Sequence, residues 1–333
     1  MSEEPSKLLL AESRLSSTLA DRLTGYWRKA AESPTQKYLV GLLVVLVATL
    51  PLYSNNYVIE VGSNILFYIV LCLGLNITIG YCGLFNLGNA AFFAFGAYTT
   101  GILCTMGVNF WLTIPVAILV SILVACIIGI PCLNLRNDYL AIVTLGFGEI
   151  TRLLARNLTI TGGPSGLVGI PRPSLFGYKL RTVTDFYFAF LILVIIGVVV
   201  SYRIHDSKFG RALECIREDE DAAEAMGIET LKHKLLSFIL GSIFAGVGGC
   251  FFAVKMASVS PESFMFTQST NVLMAIVLGG LGKIPGVLIG ATLLVLFPEI
   301  FRGIGSWRML SFGVVLVLLM VFRPQGLWPD KYK

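Results

Sequence analysis

The stretch RIHDSKFGRALECIREDEDAAEAMGIETLKHK, residues 203–234, is polar and lies between two long apolar runs. Within it, Asp221, Ala222 and Ala223 are followed after three residues by Gly227. Small residues on a short turn, with glycine where helices commonly end in a left-handed cap, are typical of a short helix. Acidic residues at 218–221 suit the positive start of that helix. The pattern predicts an exposed helix able to dock on a partner, with a plain solvated loop as the alternative.

The rest of the composition is that of a membrane protein. Hydrophobic residues make up 56% of the 333 residues, charged residues make up 14%, and the mean hydropathy is +0.80. Apolar windows of about twenty residues recur along the chain, each long enough to cross a bilayer as a helix. An all-α polytopic membrane protein is therefore predicted. The net charge of +5 is small for this length and is explained by the loops, so it indicates no nucleic-acid partner.

We predict about ten membrane helices within a transmembrane domain of residues 38–322. Residues 1–37 carry leucines at a spacing of four among basic residues, which is typical of a helix lying on the membrane surface, a flexible tail being the alternative. Residues 204–233 form the polar loop, and residues 323–333 form a tail. The predicted spans are 38–54, 62–80, 84–106, 111–133, 138–156, 185–203, 234–257, 268–282, 284–302 and 308–322.

Basic residues predict the orientation of these spans. If the amino terminus is cytoplasmic, 17 of the 25 lysines and arginines fall on the cytoplasmic side. Because cytoplasmic loops carry an excess of Lys and Arg, this bias favours a plasma-membrane protein with both termini and the polar stretch in the cytoplasm.

Catalytic and metal-binding patterns are absent from the sequence. The seven cysteines are scattered, mostly within apolar runs, and are expected to be small buried hydrophobes. His205 and His233 are interpreted as ordinary interface residues rather than ligands. The sequence contains no phosphate-binding loop, Rossmann fingerprint or hydrolase motif. We therefore expect no cofactor or metal in this chain, and any ATP that drives transport has to be hydrolysed by another chain.

The third predicted span begins with GYCGLFNLGNAAFFAFGAYTTG, residues 80–101, where glycines interrupt an apolar run containing Asn86 and Asn89. One interpretation is tight helix packing with the amides bonded across helices. The other is a partly unwound segment lining a polar path, because irregular backbone within a membrane must be buried or face water. Residues 260–286 mix Gly with polar side chains, including Asn271, in the same way. The shared texture is consistent with a repeat of two halves, and both Gly-rich spans are candidates for broken helices.

The fifth span carries Glu149 about 16 Å into the membrane, near the middle of a hydrocarbon core about 30 Å thick. An unpaired acid there is costly, so Glu149 is expected to face the bundle interior. Arg152, one turn further on, is the expected partner. A structural ion pair and a position lining the path both remain open for Glu149. Thr144 in the same span is a further candidate path residue. The Gly- and Pro-rich residues 159–179 that come next are expected to cap the bundle or to receive a partner.

Five segments carry a resemblance when they are taken together and in order. They are GYCGLFNLGNAAFFAFGAY, LAIVTLGFGEITRLL followed by TGGPSGLVGIP, FGRALECIREDEDAAEAMGI, AIVLGGLGKIPGVLIGA and RPQGLWP. The combination resembles the LivM-type permeases of bacterial branched-chain amino acid ABC importers. The resemblance covers nearly everything after residue 60.

The resemblance implies an ABC importer permease fold with a cytoplasmic coupling helix, and a set of partners. These are a LivH-like second permease, two ATPase subunits that bind ATP and Mg²⁺, and a soluble substrate-binding protein outside the membrane. Asp221, Ala222, Ala223, Glu224 and Gly227 resemble the motif that couples such permeases to their ATPases. Asp221 stands where Glu is usual, and Ser237 and Phe238 replace the Leu-Pro that often follows.

The implied activity is import of branched-chain amino acids by alternating access. Urea and short-amide importers have similar permeases, so that substrate class is the first alternative. A self-sufficient secondary transporter or channel that uses Glu149 as an ion relay is the second.

Overall fold

The computed structural model describes residues 55–133, 137–175 and 178–304, together with the isolated positions 51, 53, 310, 313, 314, 317, 326 and 327. The predicted amphipathic segment, the tail and the spans 38–54 and 308–322 lie outside the described residues, apart from those isolated positions. They stay predictions.

Helices account for most of the described chain. In chain order they are α1 Asn56–Leu75, a π-helix Asn76–Tyr81, α2 Asn89–Thr105, α3 Phe110–Cys132, α4 Asn137–Asn157, α5 Val183–His205, α6 Lys208–Glu218, α7 Glu220–Ala225, α8 Thr230–Met256, α9 Phe266–Gly279 and α10 Ile284–Ile300. Short 3₁₀ turns occur at Gly163–Ser165, Pro261–Phe264 and Phe301–Ile304. The strands, of two residues each, are β1 Leu167–Val168, β2 Ser174–Leu175, β3 Tyr178–Lys179 and β4 Ser258–Val259.

The helices coincide with the apolar runs of the sequence. Within the described part of the chain, four helices are long and apolar enough to cross a membrane: Asn56–Tyr81, Phe110–Cys132, Val183–His205 and Thr230–Met256. The apolar helix α10 is shorter. Each of the eight spans predicted between residues 62 and 302 contains a helix. A polytopic, mostly helical membrane protein is thus confirmed.

Helix α8 packs in the centre of the bundle, against α1, α2 and α3. A Cβ added at Gly96 of α2 would lie 2.0 Å from the Gly246 carbonyl oxygen of α8, and one at Gly249 would lie 2.3 Å from the Phe93 oxygen. Glycine is required at these contacts because the two backbones approach more closely than any side chain allows. Phe93 and Phe252, which lie beside this contact, pack edge to face with ring centroids 5.0 Å apart.

The start of the third predicted span needs a correction. Helix was predicted from residue 84, but α2 begins at Asn89, and residues 83–88 are not helical. The preceding span instead continues as a π-helix to Tyr81. Leu84, Asn86 and Gly88 of this segment are buried, whereas Phe85 is 43% exposed. Irregular backbone in a membrane bundle has to be buried or face water.

Two small antiparallel sheets also depart from the all-α prediction. β1 pairs with β4, and β2 pairs with β3. A two-residue strand is too short to leave an alternating pattern in the sequence, which is why it was not predicted. The β1–β4 pair joins the Gly- and Pro-rich loop to the end of α8, where Ile170 is buried. Trp111 Nε1 of α3 also donates to the Ser174 carbonyl at 2.9 Å. The loop therefore caps one end of the bundle.

Candidate functional site

The polar stretch folds into two short helices at the opposite end of the bundle. Ser207 caps α6 by accepting a hydrogen bond from Gly210 N at 3.1 Å, and Asp219 caps α7 by accepting from Ala222 N at 3.0 Å. Glu220 and Asp221 occupy the first turn of α7, where they favour the positive end of the helix. The short helix predicted from the sequence is confirmed.

Gly227 ends this element in a Schellman motif. Gly227 N donates to the Glu224 carbonyl at 2.9 Å, and Ile228 N donates to the Ala223 carbonyl at 3.1 Å. These two hydrogen bonds define the Schellman motif. They require the residue just after the helix, here Gly227, to adopt a left-handed conformation. Gly227 has φ = +85°. The left-handed cap predicted for Gly227 is therefore present.

The predicted coupling residues divide into a buried and an exposed set. Ala223 is 4% exposed and holds α7 against the bundle. Asp221, Ala222, Glu224 and Gly227 are exposed to solvent. Met226 joins them at the tip, where its side chain is 84% exposed. The tip of α7 thus offers an apolar side chain and two acids to the solvent.

An ion pair between a buried lysine and an exposed glutamate anchors α7 to α8. Lys234 Nζ donates to Glu220 Oε1, and the Lys234 side chain is only 6% exposed. Glu220 is the first residue of α7, while Lys234 lies in the second turn of α8. Removing either partner would leave the other charge without its counterion, so the pair fixes the position of the short helix.

Both histidines lie in this region, in ordinary packing contacts. The His205 ring packs edge to face on Tyr81, with centroids 5.4 Å apart, and its Nε2 lies 3.4 Å from Glu214 Oε1. The His233 ring stacks on Phe209 at 5.7 Å. Cys215 departs from the expectation of burial, because it is an exposed thiol on α6.

Three of the five candidate path residues, Asn86, Asn89 and Thr144, lie around the non-helical segment. Asn86 is 3% exposed, and its Oδ1 accepts from Gly88 N at 2.8 Å. Leu87 N donates to Thr144 Oγ1 of α4 at 3.0 Å. Because the peptide and side-chain groups of this segment are bonded to one another and to α4, the irregular backbone is tolerated inside the bundle. The structure therefore brings Asn86 and Thr144 together.

The amino-terminal ends of α2 and α9 lie side by side next to the non-helical segment. Ala90 N, in the first turn of α2, donates to Ser269 Oγ, in the first turn of α9, at 2.9 Å. Asn89, the first residue of α2, is 3% exposed. Asn271 is half-buried on α9, one turn beyond Gln268, whose Oε1 accepts from the Tyr68 hydroxyl at 3.2 Å. Asn271, another predicted path residue, therefore lies on α9 and not in the non-helical segment.

Glu149 forms the ion pair that its spacing predicts. Arg152 Nε lies 2.9 Å from Glu149 Oε2, and Arg152 Nη1 lies 3.8 Å from Glu262 Oε1 of the turn before α9. The expectation that Glu149 faces the bundle interior needs a correction, since its side chain is 35% exposed. Arg152 shares the same face of α4, so the pair is satisfied without being enclosed by this chain.

Known permeases resemble this chain along most of its length. Residues 57–323 match the family described as "Branched-chain amino acid transport system / permease component". The chain belongs to this family. The permease is 41% identical over 317 residues to the high-affinity branched-chain amino acid transport system permease protein LivM of Salmonella typhimurium, and 40% identical to that of Escherichia coli. Each alignment covers 88% of this chain and 74% of the relative.

A differently named relative aligns more distantly. The permease is 23% identical over 292 residues to LivH of Salmonella typhimurium. The alignment covers 81% of this chain and 92% of the relative. No solved structure matches the permease significantly. Membership in a family of transport permease components, together with the apolar helices, establishes a membrane transport subunit rather than an enzyme.

Several residues that organise the site were not predicted from the sequence. Lys234 and Ser269 make contacts with residues 14 and 179 positions away, and Arg217 bonds to a carbonyl 137 positions away. Local spacing carries no signal for such contacts. Only the charge of Lys234 at the start of an apolar run offered a hint, because a lysine there either points to the interface or finds a counterion.

Proposed function

We propose that this permease is the membrane subunit of an ATP-driven importer that moves branched-chain amino acids into the cytoplasm. The description of the family and the names of its LivM relatives support this substrate class. The polar groups at the starts of α2 and α9 suit the polar ends of an amino acid, while the surrounding bundle is apolar.

The proposed complex contains a LivH-like second permease, two ABC ATPases and a soluble substrate-binding protein. The alignment with LivH supports a partner of related fold. The ATPases bind ATP and Mg²⁺ in this proposal, since the permease sequence has no phosphate-binding loop. The binding protein delivers the amino acid on the side of the loop that caps the bundle.

Helix α7 is proposed to receive the force of ATP hydrolysis. The observation that carries this proposal is that α7 is exposed at its tip and fixed on its other side. Met226 and Ala222 face solvent, while Ala223 is buried and the Lys234–Glu220 pair fixes the helix to α8. A firmly held tip that presents one apolar side chain between acids is suited to sit in a cleft of a partner and to transmit its movement. The polar loop 204–233 of the sequence therefore serves as the coupling element.

The substrate path is proposed to run along the non-helical segment and the starts of α2 and α9. Asn86, Asn89, Thr144 and Asn271 would line it, with Glu149 at the face of α4 that this chain leaves open. Broken helices whose amino-terminal ends meet inside a bundle supply polar backbone groups at membrane depth. Rocking of the bundle when the ATPases close would expose this region to each side in turn.

Ten spans with both termini in the cytoplasm of a bacterial plasma membrane complete the proposal. The two polar regions lie at opposite ends of α8: α7 contacts its first turns, and β4 comes directly after its last turn. A helix of 27 residues is about 40 Å long, which suffices to separate the two faces of a membrane.

Co-purification tests the proposed coupling surface. A tagged permease is expressed with its second permease and both ATPases, as wild type and as Ala222→Arg, which places a bulky charge on the tip of α7. We expect the variant to keep the second permease and to lose most of the ATPase. Val168→Arg is the matched control, because Val168 is 74% exposed at the other end of the bundle. Equal ATPase recovery from both variants would place the ATPase elsewhere.

A further inference from the structure

Arg217 connects the polar stretch to the membrane helices through a single long-range hydrogen bond. It lies in the last turn of α6, and its Nη1 donates to the Gly80 carbonyl oxygen at 2.6 Å. Gly80 belongs to the π-helix that ends the first described span. The bond therefore joins the coupling element to the residues that immediately precede the non-helical segment.

The Gly80 carbonyl that Arg217 binds lies in the last turn of the π-helix, where the regular backbone hydrogen bonding ends. The Thr78 carbonyl accepts from Leu84 N and the Ile79 carbonyl accepts from Gly83 N, whereas the Gly80 carbonyl accepts from Arg217. Carbonyls in the last turn of a helix lack intrahelical partners and need donors from elsewhere. A guanidinium is a strong donor to such a group because its hydrogen bond is charge-assisted.

The turn between α9 and α10 meets the same guanidinium. Gly282 N donates to Asn76 Oδ1 at 2.9 Å. A Cβ added at Gly282 would lie 3.0 Å from Arg217 Nη1 and 3.0 Å from the Gly80 oxygen. We call Arg217, Gly80, Gly282 and Asn76 the arginine junction, since α6, the π-helix and the α9–α10 turn converge there.

Arg217 makes no ion pair with the carboxylates of the described residues, although acids are frequent in α6 and α7. Arg211, on the same helix, bonds only within the polar stretch, its Nη1 donating to the Asp206 carbonyl at 3.0 Å. The two arginines thus have the same chemistry and different reach. Among the described residues, Arg217 bonds to a membrane helix, whereas the Arg211 bond stays within the polar stretch.

We infer that Arg217 is a positioning residue that passes the movement of α6 and α7 to the π-helix and to the α9–α10 turn. This inference rests on the proposed function. The π-helix leads into residues 83–88 and then α2, and α9 ends at the α9–α10 turn. The Arg217 side chain therefore contacts both the segment that precedes α2 and the segment that follows α9. A displacement of α6 would therefore act on the segment that leads into the start of α2, through the π-helix, and on the carboxyl end of α9, through the turn.

The test compares Arg217→Ala, Arg217→Lys and Arg217→Gln with the control Arg211→Ala in the reconstituted complex with its ATPases, second permease and binding protein. Leucine uptake and ATP hydrolysis are measured on the same vesicles. We expect Arg217→Ala to lower the leucine taken up per ATP by about tenfold, which corresponds to about 1.4 kcal/mol. Lys, which keeps a charged donor, is expected to recover more of this ratio than Gln, and Arg211→Ala to match wild type within about twofold.

Three results would overturn the inference: an unchanged ratio in Arg217→Ala, a parallel loss of uptake and hydrolysis, or a Lys variant no better than Ala. If Arg217→Ala fails to assemble, the order of the Lys and Gln variants decides. The wild-type complex separates this inference from the proposed function, because ATP-independent uptake by wild type would refute the function itself. A double variant with Asn76→Ala adds a second check: the two effects should be less than additive if both residues belong to one junction.

Discussion

Gly227 has a backbone conformation that side-chain-bearing residues rarely adopt. Its φ of +85° closes the Schellman motif of α7, and the space around a Cβ added there is empty. A side chain would therefore strain the backbone without striking a neighbour. A non-glycine residue in this conformation costs about 1–2 kcal/mol.

Gly227→Val is accordingly expected to displace the tip of α7 and to uncouple ATP hydrolysis from uptake. Gly107→Val is a closely matched control, because Gly107 has φ = +87° and open space as well but lies in the turn between α2 and α3. Uptake per ATP hydrolysed, measured on both variants in reconstituted complexes, should fall only for Gly227→Val. Equal values for the two variants would count against a coupling role for this cap.

Glu149 poses a choice between an ion pair and a path residue. In Glu149→Gln, Arg152 keeps only Glu262 at 3.8 Å, and the loss of a charged partner at a half-buried site costs about 1–3 kcal/mol. We expect a lower yield of assembled complex, measured by size-exclusion chromatography. Glu149→Gln combined with Arg152→Gln removes both charges and should restore assembly if the pair is structural.

Uptake by that double variant then decides the second role. Normal uptake would make the pair purely structural, whereas assembled complexes that transport poorly would place Glu149 on the path. A Glu149→Gln variant that both assembles and transports like wild type would contradict either role.

At this scale the sequence was informative for local geometry alone. The cap at Gly227 and the Glu149–Arg152 pair were predictable because helix periodicity fixes residues three or four positions apart. The Arg217 and Ser269 contacts were not, because their partners are 137 and 179 residues away.

Close approach of α2 and α8 is the main packing contact between elements. We expect Gly96→Ala to lower the melting temperature of the detergent-solubilised permease by several degrees, because its methyl group would lie 2.0 Å from the Gly246 oxygen. Gly146→Ala on α4 is the control, since a Cβ there meets nothing within 4 Å and alanine favours helix. Thermal unfolding that does not distinguish the two variants would contradict the tight α2–α8 contact.

The break before α2 marks what sequence can indicate about an element. The glycines and asparagines of residues 80–101 left two interpretations open, tight helix packing and an unwound segment. The structure has both, since residues 83–88 are not helical and Gly96 packs closely against Gly246. The boundaries of the non-helical segment could not be predicted, because a π-helix leaves no periodic pattern in a span of six residues and because α2 begins without a side-chain cap. The two-residue strands were not predicted either, because they are too short to show an alternating pattern.

In the described part of the chain, the polar stretch and the Gly- and Pro-rich loop lie at opposite ends of α8. The basic residues predict that the polar stretch is on the cytoplasmic side, and this orientation stays a prediction. The test of orientation uses Cys215, which is exposed on α6, and Val168→Cys in a Cys215→Ser background. A membrane-impermeant maleimide should label Cys215 only in inverted vesicles and the cysteine at 168 only in intact cells. Labelling of both from one side would contradict the proposed topology.

Architecture at this scale was predictable because a bilayer imposes a long apolar run on each span. Each span predicted between residues 62 and 302 contains a helix, while the first and tenth spans stay predictions. The surroundings of α4 were not predictable. Its face bearing Ile142, Ile150 and Leu154 is exposed in this chain, and composition does not distinguish contact with lipid from contact with a second permease.

The most direct test of ATP-driven amino-acid import is uptake of labelled leucine and labelled urea into vesicles containing the permease, its second permease and both ATPases, with each candidate binding protein supplied in turn. We predict leucine uptake that requires ATP, the ATPases and a binding protein, with no comparable uptake of urea. Uptake of urea instead of leucine would contradict the substrate, and flux of either compound without ATP would contradict an ABC importer.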